Sequence, residues 1–204
     1  MLDRFVRPLI DPPLNRLGRW LAATGATANA VTLVGLVLGL AGAGAILWGN
    51  AMLGLALLLG SRLADGLDGA VARATRLSDF GGYFDIVADF VFYAAVPLAF
   101  IAVDPARNGL AGAALLAAFY VNAATFLGFA ILAAKRDLST QLRGRKSWYH
   151  SGGLMEGTET IAFFVAFCLW PGAFVPVAWA FAGLCLLTAA GRLAMARDLF
   201  RDRD

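Results

Sequence analysis

Charged side chains are scarce in this sequence. Only 15% of its 204 residues are charged, whereas 60% are hydrophobic, and the mean hydropathy is +0.71. This composition excludes a water-soluble globular domain and predicts an integral membrane protein. Residues 1–20 also lack an uninterrupted apolar run, because Arg, Asp and Pro recur through them. We therefore expect no cleavable signal, and we expect the first membrane helix to target the chain.

Cysteine and histidine are nearly absent. The two cysteines, Cys168 and Cys185, fall in apolar stretches where a small side chain packs, and they suggest neither a disulfide framework nor a zinc site. The one histidine, His150, follows Trp148 and Tyr149 at a predicted membrane surface, and we interpret it as an interfacial residue. Neither residue type is therefore expected to carry chemistry.

Apolar stretches long enough to cross a bilayer recur along the chain. They occupy residues 27–48, 51–71, 83–103, 109–134, 154–170 and 173–195. The sequence therefore predicts an all-α fold, a polytopic integral membrane bundle of six transmembrane helices, in a single domain over residues 1–204. Residues 1–22 mix apolar side chains with arginines, which predicts an N-terminal interfacial amphipathic segment before the six-helix core at 23–204. Pro12 and Pro13 are expected to break or kink that segment.

Lysine and arginine collect at both termini and in the loops after the second and fourth predicted helices, and only Arg107 falls on the opposite side. Because cytoplasmic loops collect these residues, we expect both termini and those two loops on the cytoplasmic side of the cytoplasmic (inner) membrane. The sequence pI of about 9.2 does not indicate nucleic acid, since no nucleic-acid module is recognisable. Anionic membrane lipids are the expected partner.

Four aspartates stand out in this apolar sequence. Asp65 and Asp68 are three residues apart and Asp85 and Asp89 are four apart, so each pair projects from one helix face at the cytoplasmic side. Carboxylates at membrane depth are costly and repel one another, so a cation must lie among them. Oxygen ligands without His or Cys favour Mg²⁺, Mn²⁺ or Ca²⁺ over zinc, and a cluster of this size could hold two ions that bridge a diphosphate. A polar helix-packing network is the alternative, but Ser, Thr or Asn would serve it without charge.

Small residues separate these acids in the segments DGLDGAVAR (65–73) and GGYFDIVAD (81–89), which lets a phosphate or nucleotide approach the backbone. The two segments resemble the DxxDGxxAR and GxxxDxxxD signature of the CDP-alcohol phosphotransferase (CDP-alcohol phosphatidyltransferase) family. The loop between Arg73 and Gly81 is one residue shorter than in the family pattern. Residues 27–32 are similar to a TPNxxT element of the same family, with Ala28 in place of Pro.

The resemblance implies a phospholipid-synthesising transferase that moves a phosphatidyl-type group from a CDP-linked lipid such as CDP-diacylglycerol to an alcohol, with release of CMP. It implies Mg²⁺ or Mn²⁺ on Asp65, Asp68, Asp85 and Asp89, with Asp89 also the catalytic general base. It assigns the CDP moiety to Gly69, Ala72, Arg73, Gly81 and Asn29. It also implies a homodimer, although the GxxxG pair Gly35 and Gly39 suits close helix contacts either within or between chains.

The residues that would bind the acceptor alcohol are less marked. Two acids near the start of the fifth predicted helix either line an acceptor pocket or complement the helix dipole, and the basic residues either bind a phosphorylated acceptor or form a solvated loop. Arg62, one helical turn before Asp65, either pairs with a cluster carboxylate or faces a substrate phosphate. The candidates are Arg62, Lys135, Arg136, Arg143, Arg145, Glu156, Glu159 and Arg192.

Two other classes of protein also place carboxylates in membranes. An intramembrane prenyltransferase binds a diphosphate through aspartate-bound magnesium, but such proteins have two separated Asp-rich motifs, whereas here the acid pairs are consecutive. A cation or proton transporter spaces its carboxylates along an ion path, whereas these aspartates cluster at one side of the membrane. The transferase is therefore the leading hypothesis.

Overall fold

The computed structural model describes residues 3–136, 155 and 157–200, and within these ranges the regular structure is helical throughout. These ranges contain seven α-helices, with a short 3-10 helix, Pro171–Ala173, before the last. They are α1 (Asp3–Ala23), α2 (Ala28–Leu47), α3 (Ala51–Ala74), α4 (Asp79–Val103), α5 (Pro105–Lys135), α6 (Gly157–Leu169) and α7 (Phe174–Phe200). The all-α prediction is thus confirmed for the described part of the chain.

Short polar side chains start these helices at the predicted breaks. Each accepts a hydrogen bond from a backbone N–H of the first turn, which satisfies a donor that has no partner inside the helix. The capping residues are Thr27 for α2, Asn50 for α3, Ser78 for α4 and Asp104 for α5. Between α2 and α3, Gly49 has a φ of +81°, a conformation that favours glycine at a helix end. The two helices that carry the aspartates, α3 and α4, are separated only by residues 75–78.

Four segments of the described chain are long and apolar enough to cross a membrane: α2, α4, α5 and the stretch Pro171–Phe200 that contains α7. Helix α3 is long enough, but Arg62, Asp65 and Asp68 interrupt its apolar sequence. Helix α6 is apolar but spans only 13 described residues. The predicted membrane character is therefore supported by four helices, and the count of six stays a prediction.

Helix α1 continues without interruption through Pro12 and Pro13, so the helix does not break where the sequence suggested. Two missing N–H groups remove hydrogen bonds, but tertiary packing can compensate for that loss. α1 lies against α3 at short range: a Cβ built on Gly18 would come within 2.5 Å of the Ala70 Cβ, and one on Gly66 within 2.8 Å of a Leu14 methyl. Packing on α3 therefore accounts for the continuous helix.

Glycines bring α2, α3 and α4 into close contact. A Cβ on Gly35 would lie 3.2 Å from the Ala64 Cβ, and one on Gly39 would lie 2.5 Å from the ring of Phe92. The Ser61 hydroxyl donates a 2.7 Å hydrogen bond to the Gly35 carbonyl and ties α3 to α2. The GxxxG pair thus serves packing within the chain, one of the two possibilities the sequence left open.

Phenylalanine rings fill the core where α4, α5, α6 and α7 meet. Phe164 and Phe181 are almost completely buried. Phe92 of α4 lies 5.8 Å from Phe164 of α6, and Phe100 of α4 stacks 5.1 Å from Phe174 of α7, measured between ring centroids. Both cysteines are buried as free thiols, in agreement with a packing role. Since Phe92 lies one helical turn beyond Asp89, this aromatic core begins directly beside the aspartates.

Candidate metal and substrate site

Three of the four aspartates converge. Asp65 and Asp68 project from the second half of α3 and Asp85 from the first half of α4, and each offers one carboxylate oxygen within 4.8 Å of the other two. Magnesium binds oxygen at ~2.1 Å and calcium at ~2.4 Å, so two oxygens on opposite sides of one ion lie ~4 to ~5 Å apart. The donor set is oxygen alone, which suits these hard cations. The side chains of this aspartate trio therefore fit a divalent cation.

The fourth aspartate, Asp89, has a cationic partner. Its Oδ1 accepts a 2.6 Å hydrogen bond from Nη1 of Arg62, and the same nitrogen lies 3.3 Å from Oδ1 of Asp65. Arg62 was an acceptor-site candidate that could also pair with a carboxylate, and the structure shows the pairing. The contact with Asp65 is local, since Arg62 lies one turn before it on the same face of α3, whereas the contact with Asp89 joins α3 to α4.

A threonine of α2 completes the surroundings of the trio. The hydroxyl of Thr32 donates a 2.6 Å hydrogen bond to Oδ2 of Asp68, and both side chains are buried. Helix α2 therefore helps to orient a carboxylate of α3. The sequence placed Thr32 in a family-like element without a role, because the hydrogen bond joins residues 36 positions apart and no local pattern reveals it.

The residues expected at the CDP moiety lie near the start of α2, the end of α3 and the start of α4. Arg73, near the end of α3, donates from Nε and Nη2 to Oδ1 of Asn15 at 3.3 Å and 2.9 Å, so α1 holds this guanidinium. A Cβ on Gly69 would lie 3.3 Å from Arg73 Nη1, which shows why a side chain there would crowd the arginine.

A cavity of about 260 Å³ opens between α1 and α3 beside this arginine. Its lining includes Asn15, Arg19 and Arg73, which give it two positive charges. At the start of α4, a Cβ on Gly81 would come within 3.2 Å of Oδ1 of Asn29, so these two predicted positions are neighbours. Ala72 lies on α3 next to Arg73 and is partly buried. Asn15 and Arg19 were not predicted, since neither belongs to the motif.

Two of the described acceptor candidates, Arg136 and Arg192, join the α5 segment to α7. Nη1 of Arg192 donates to the carbonyl and the side-chain oxygen of Asn122 at 3.1 Å and 3.0 Å, and to the Thr125 hydroxyl at 3.0 Å. Arg136 donates to the Phe200 carbonyl at 2.9 Å. Lys135 ends α5, and Glu159 lies in the first turn of α6. Arg143, Arg145 and Glu156 lie outside the described residues.

Apolar helices of membrane-spanning length that bring three aspartates together indicate an integral membrane protein with a candidate cation site. The sequence model of the CDP-alcohol phosphatidyltransferase family matches residues 26–195, and the chain belongs to this family. The family resemblance of the aspartate motif is thereby confirmed. The chain is accordingly an enzyme that transfers a phosphatidyl-type group from a CDP-linked lipid to an alcohol, and neither the prenyltransferase nor the transporter.

Two curated relatives share clear sequence identity. The inner membrane protein YnjF of Escherichia coli is 45% identical over 193 residues, which cover 95% of this chain and 94% of that protein. An archaetidylinositol phosphate synthase of Pyrococcus horikoshii is 41% identical over 86 residues, 41% of this chain and 45% of that protein. The chain thus matches less than half of the archaeal enzyme, whereas it matches nearly all of the bacterial protein.

The fold also matches solved structures of the phosphatidylinositol phosphate synthase of Mycobacterium tuberculosis. One, with CDP-DAG bound, has a TM-score of 0.67 at 24% identity and covers 94% of this chain and 98% of that one. Another, in complex with manganese and citrate, has the same TM-score and identity and covers 94% of this chain and 93% of that one. At this identity the likeness establishes the fold.

Proposed function

We propose that this enzyme transfers a phosphatidyl group from CDP-diacylglycerol to a phosphorylated polyol, with a divalent cation on the aspartate trio. The observation that carries the proposal is the convergence of Asp65, Asp68 and Asp85 within 4.8 Å in a chain of this family. The synthases among its relatives form inositol phosphate lipids, which supports a phosphorylated polyol as acceptor. Lys135, Arg136 and Arg192 would supply positive charge for its phosphate.

The trio would hold Mg²⁺ or Mn²⁺, with Ca²⁺ as a further ion that suits carboxylate oxygens. Asp89 would contribute to a second ion. When bound, the cations neutralise the diphosphate and stabilise the charge that develops on the departing CMP. The structure of the tuberculosis enzyme in complex with manganese supports the use of a divalent ion in this fold.

Asp89 would act as the general base. It would take the proton from the acceptor hydroxyl as that oxygen attacks the phosphorus next to the lipid. A new P–O bond forms, the P–O bond to CMP breaks, and CMP leaves with the electron pair of that bond. We assign the proton to Oδ2 of Asp89, because Oδ1 accepts the hydrogen bond from Arg62.

The remaining motif positions would bind the nucleotide half of the donor. Arg73 would pair with its phosphates, and Gly69, Ala72 and Gly81 would leave room for it beside the backbone. Asn29 would hydrogen-bond to the nucleotide from the start of α2. The cavity beside Arg73 and the proximity of Asn29 to Gly81 support this assignment.

We further propose a single domain of six membrane spans with α3 and α6 among them, and with both termini and the active site on the cytoplasmic side. The distribution of Lys and Arg supports this topology. Helix α1 would lie in the cytoplasmic interface, where the exposed side chains of Leu17 and Trp20 would contact lipid. The chain would act as a homodimer, which family resemblance alone supports.

The test of the proposed function is the release of CMP by purified enzyme from CDP-diacylglycerol and Mg²⁺ or Mn²⁺, with a panel of acceptors. We expect release that requires both metal and acceptor, with inositol phosphate or another phosphorylated polyol preferred over serine and choline. Release with an unphosphorylated acceptor alone would overturn the acceptor class, whereas no release with any acceptor would overturn the transferase assignment.

Replacement of Thr32 by valine is expected to weaken Mn²⁺ binding by about tenfold. The change removes the hydroxyl that orients Asp68. Loss of a hydrogen bond to a metal ligand commonly lowers metal affinity by roughly 10- to 100-fold. A Mn²⁺ titration followed by electron paramagnetic resonance measures the change. Thr32→Ser is the matched control, because it keeps the hydroxyl; equal loss in both variants would contradict an orienting role.

Replacement of Asn15 by alanine is expected to raise the KM for the CDP-lipid several-fold with little change in kcat. Asn15 holds the Arg73 guanidinium through two contacts, and one hydrogen bond contributes about 1 kcal/mol. Steady-state kinetics at saturating acceptor measure both constants. Asn15→Asp should retain wild-type KM or improve it, since it keeps an acceptor oxygen; an unchanged KM in Asn15→Ala would contradict a role for α1 in donor binding.

A further inference from the structure

Arg62 occupies an unusual position for a cation in a candidate metal centre. Its side chain is only 11% exposed and contacts Asp89 and Asp65 through one nitrogen, Nη1. Its Nη2 donates to the Ser61 hydroxyl at 3.3 Å. The buried Nε has no hydrogen-bond partner among the residues that the structure describes.

An aromatic ring fixes this arginine from the other side. The guanidinium carbon lies 3.9 Å from the centroid of Phe92, a contact that favours a cation. Phe92 is 1% exposed, and Gly39 leaves just enough space for its ring. Arg62 is therefore a built-in cation between the aromatic core and the carboxylates, and an arginine stays charged over the whole physiological pH range.

The carboxylate oxygens that Arg62 contacts are ligands that a second ion would need. One carboxylate oxygen of Asp65 can bind the ion held by the trio, and its other oxygen can bind a second ion. Asp89 lies outside the trio and is the other ligand available to that second ion. The guanidinium contacts Oδ1 of both aspartates, so these oxygens are not free to bind a metal ion. Its positive charge also repels a neighbouring divalent cation.

We propose that Arg62 is an internal competitor for the second metal ion, so that the enzyme binds one divalent cation tightly and the next one much more weakly. This inference rests on the proposed function and deepens it. The first ion would meet the trio without disturbing the pair between Arg62 and Asp89. Uptake of the second would require Arg62 to give up Asp89, and the affinity for that ion would fall accordingly.

The experiment is a Mn²⁺ titration of the purified full-length protein in detergent, with free Mn²⁺ followed by electron paramagnetic resonance. For the wild type we expect two classes of site whose dissociation constants differ by at least about tenfold, the scale of outer-shell effects on metal affinity. In Arg62→Met, which keeps length and packing on Phe92 but removes the charge, the weaker class should tighten by about tenfold or more. Thermal unfolding with and without Mn²⁺ provides a second readout, in which the variant should gain the larger metal-dependent shift.

Arg76→Met is the matched control, since it removes the same charge from an exposed position in the loop between α3 and α4 and should leave both classes unchanged. A weaker class that does not tighten in Arg62→Met, or two equal sites in the wild type, would overturn the inference. If Arg62→Met does not fold, Arg62→Gln decides by the same comparison, because glutamine also removes the positive charge and should tighten the weaker class by about tenfold or more. Absence of any Mn²⁺ binding that depends on Asp68 would instead overturn the proposed function itself.

Discussion

Asp89→Asn is expected to lower the rate of CMP release by between about 100- and 10,000-fold, the usual contribution of a general base. Asparagine keeps the size of the side chain and one oxygen for Arg62, but it cannot take a proton from the acceptor hydroxyl. Single-turnover release of CMP from CDP-diacylglycerol at saturating metal and acceptor measures the chemical step. The tight Mn²⁺ class should survive, because Asp89 lies outside the trio.

Survival of metal binding together with loss of turnover is the distinguishing result for Asp89. Asp79→Asn is the control, since it makes the same change at an exposed position ten residues earlier in α4 and should leave turnover close to that of the wild type. Near wild-type turnover in Asp89→Asn would show that another group accepts the proton. Loss of the tight Mn²⁺ class would instead make Asp89 a ligand of the first ion.

Asp68→Asn is expected to weaken the tight Mn²⁺ class by more than about 100-fold, beyond the range for loss of an outer-shell partner. The change removes a negative charge and an oxygen ligand from the trio at once. Its amide oxygen can still accept from Thr32, so local packing is kept. Turnover should fall with metal occupancy and recover in part at high Mn²⁺ concentration, which a titration of activity against metal would measure.

The loss of Mn²⁺ affinity in Asp68→Asn can be compared with the loss in Thr32→Val. The loss of a ligand should exceed the loss of the hydrogen bond that orients it, and the double variant should lose less than the sum of both, because the two residues act through one contact. Equal affinities in Asp68→Asn and the wild type would exclude the trio as the ligand set. Additive losses would mean that Thr32 acts elsewhere.

Local sequence patterns were sufficient for the all-α fold and for placing each acid pair on one face of a helix. The breaks at Gly49 and Asp104 carry turn and cap chemistry that acts within a few residues, and the intervals between the aspartates follow the helical repeat. The continuity of helix α1 could not be predicted locally. Pro12 and Pro13 indicate a break, but Leu14 and Gly18 pack against α3 and the helix continues.

The partners of the site residues could not be predicted in the same way. The contacts of Asp68 with Thr32, of Asp89 with Arg62 and of Arg73 with Asn15 join residues 27 to 58 positions apart. Such contacts depend on how helices rotate about their axes, which no local spacing determines. The role of Arg62 illustrates the difference: its place on the aspartate face was predictable, but the choice between substrate and carboxylate required α4.

The short loop at 75–78 places the whole aspartate cluster on two consecutive helices, and α2 supplies its remaining described partner. All of these contacts lie within residues 32–89, so they can form before the later helices have been synthesised. During synthesis α2, α3 and α4 would emerge before α5 and α7, and therefore before Arg136 and Arg192. The aspartate trio and Thr32 can therefore be in place before α7, which carries Arg192, has been synthesised.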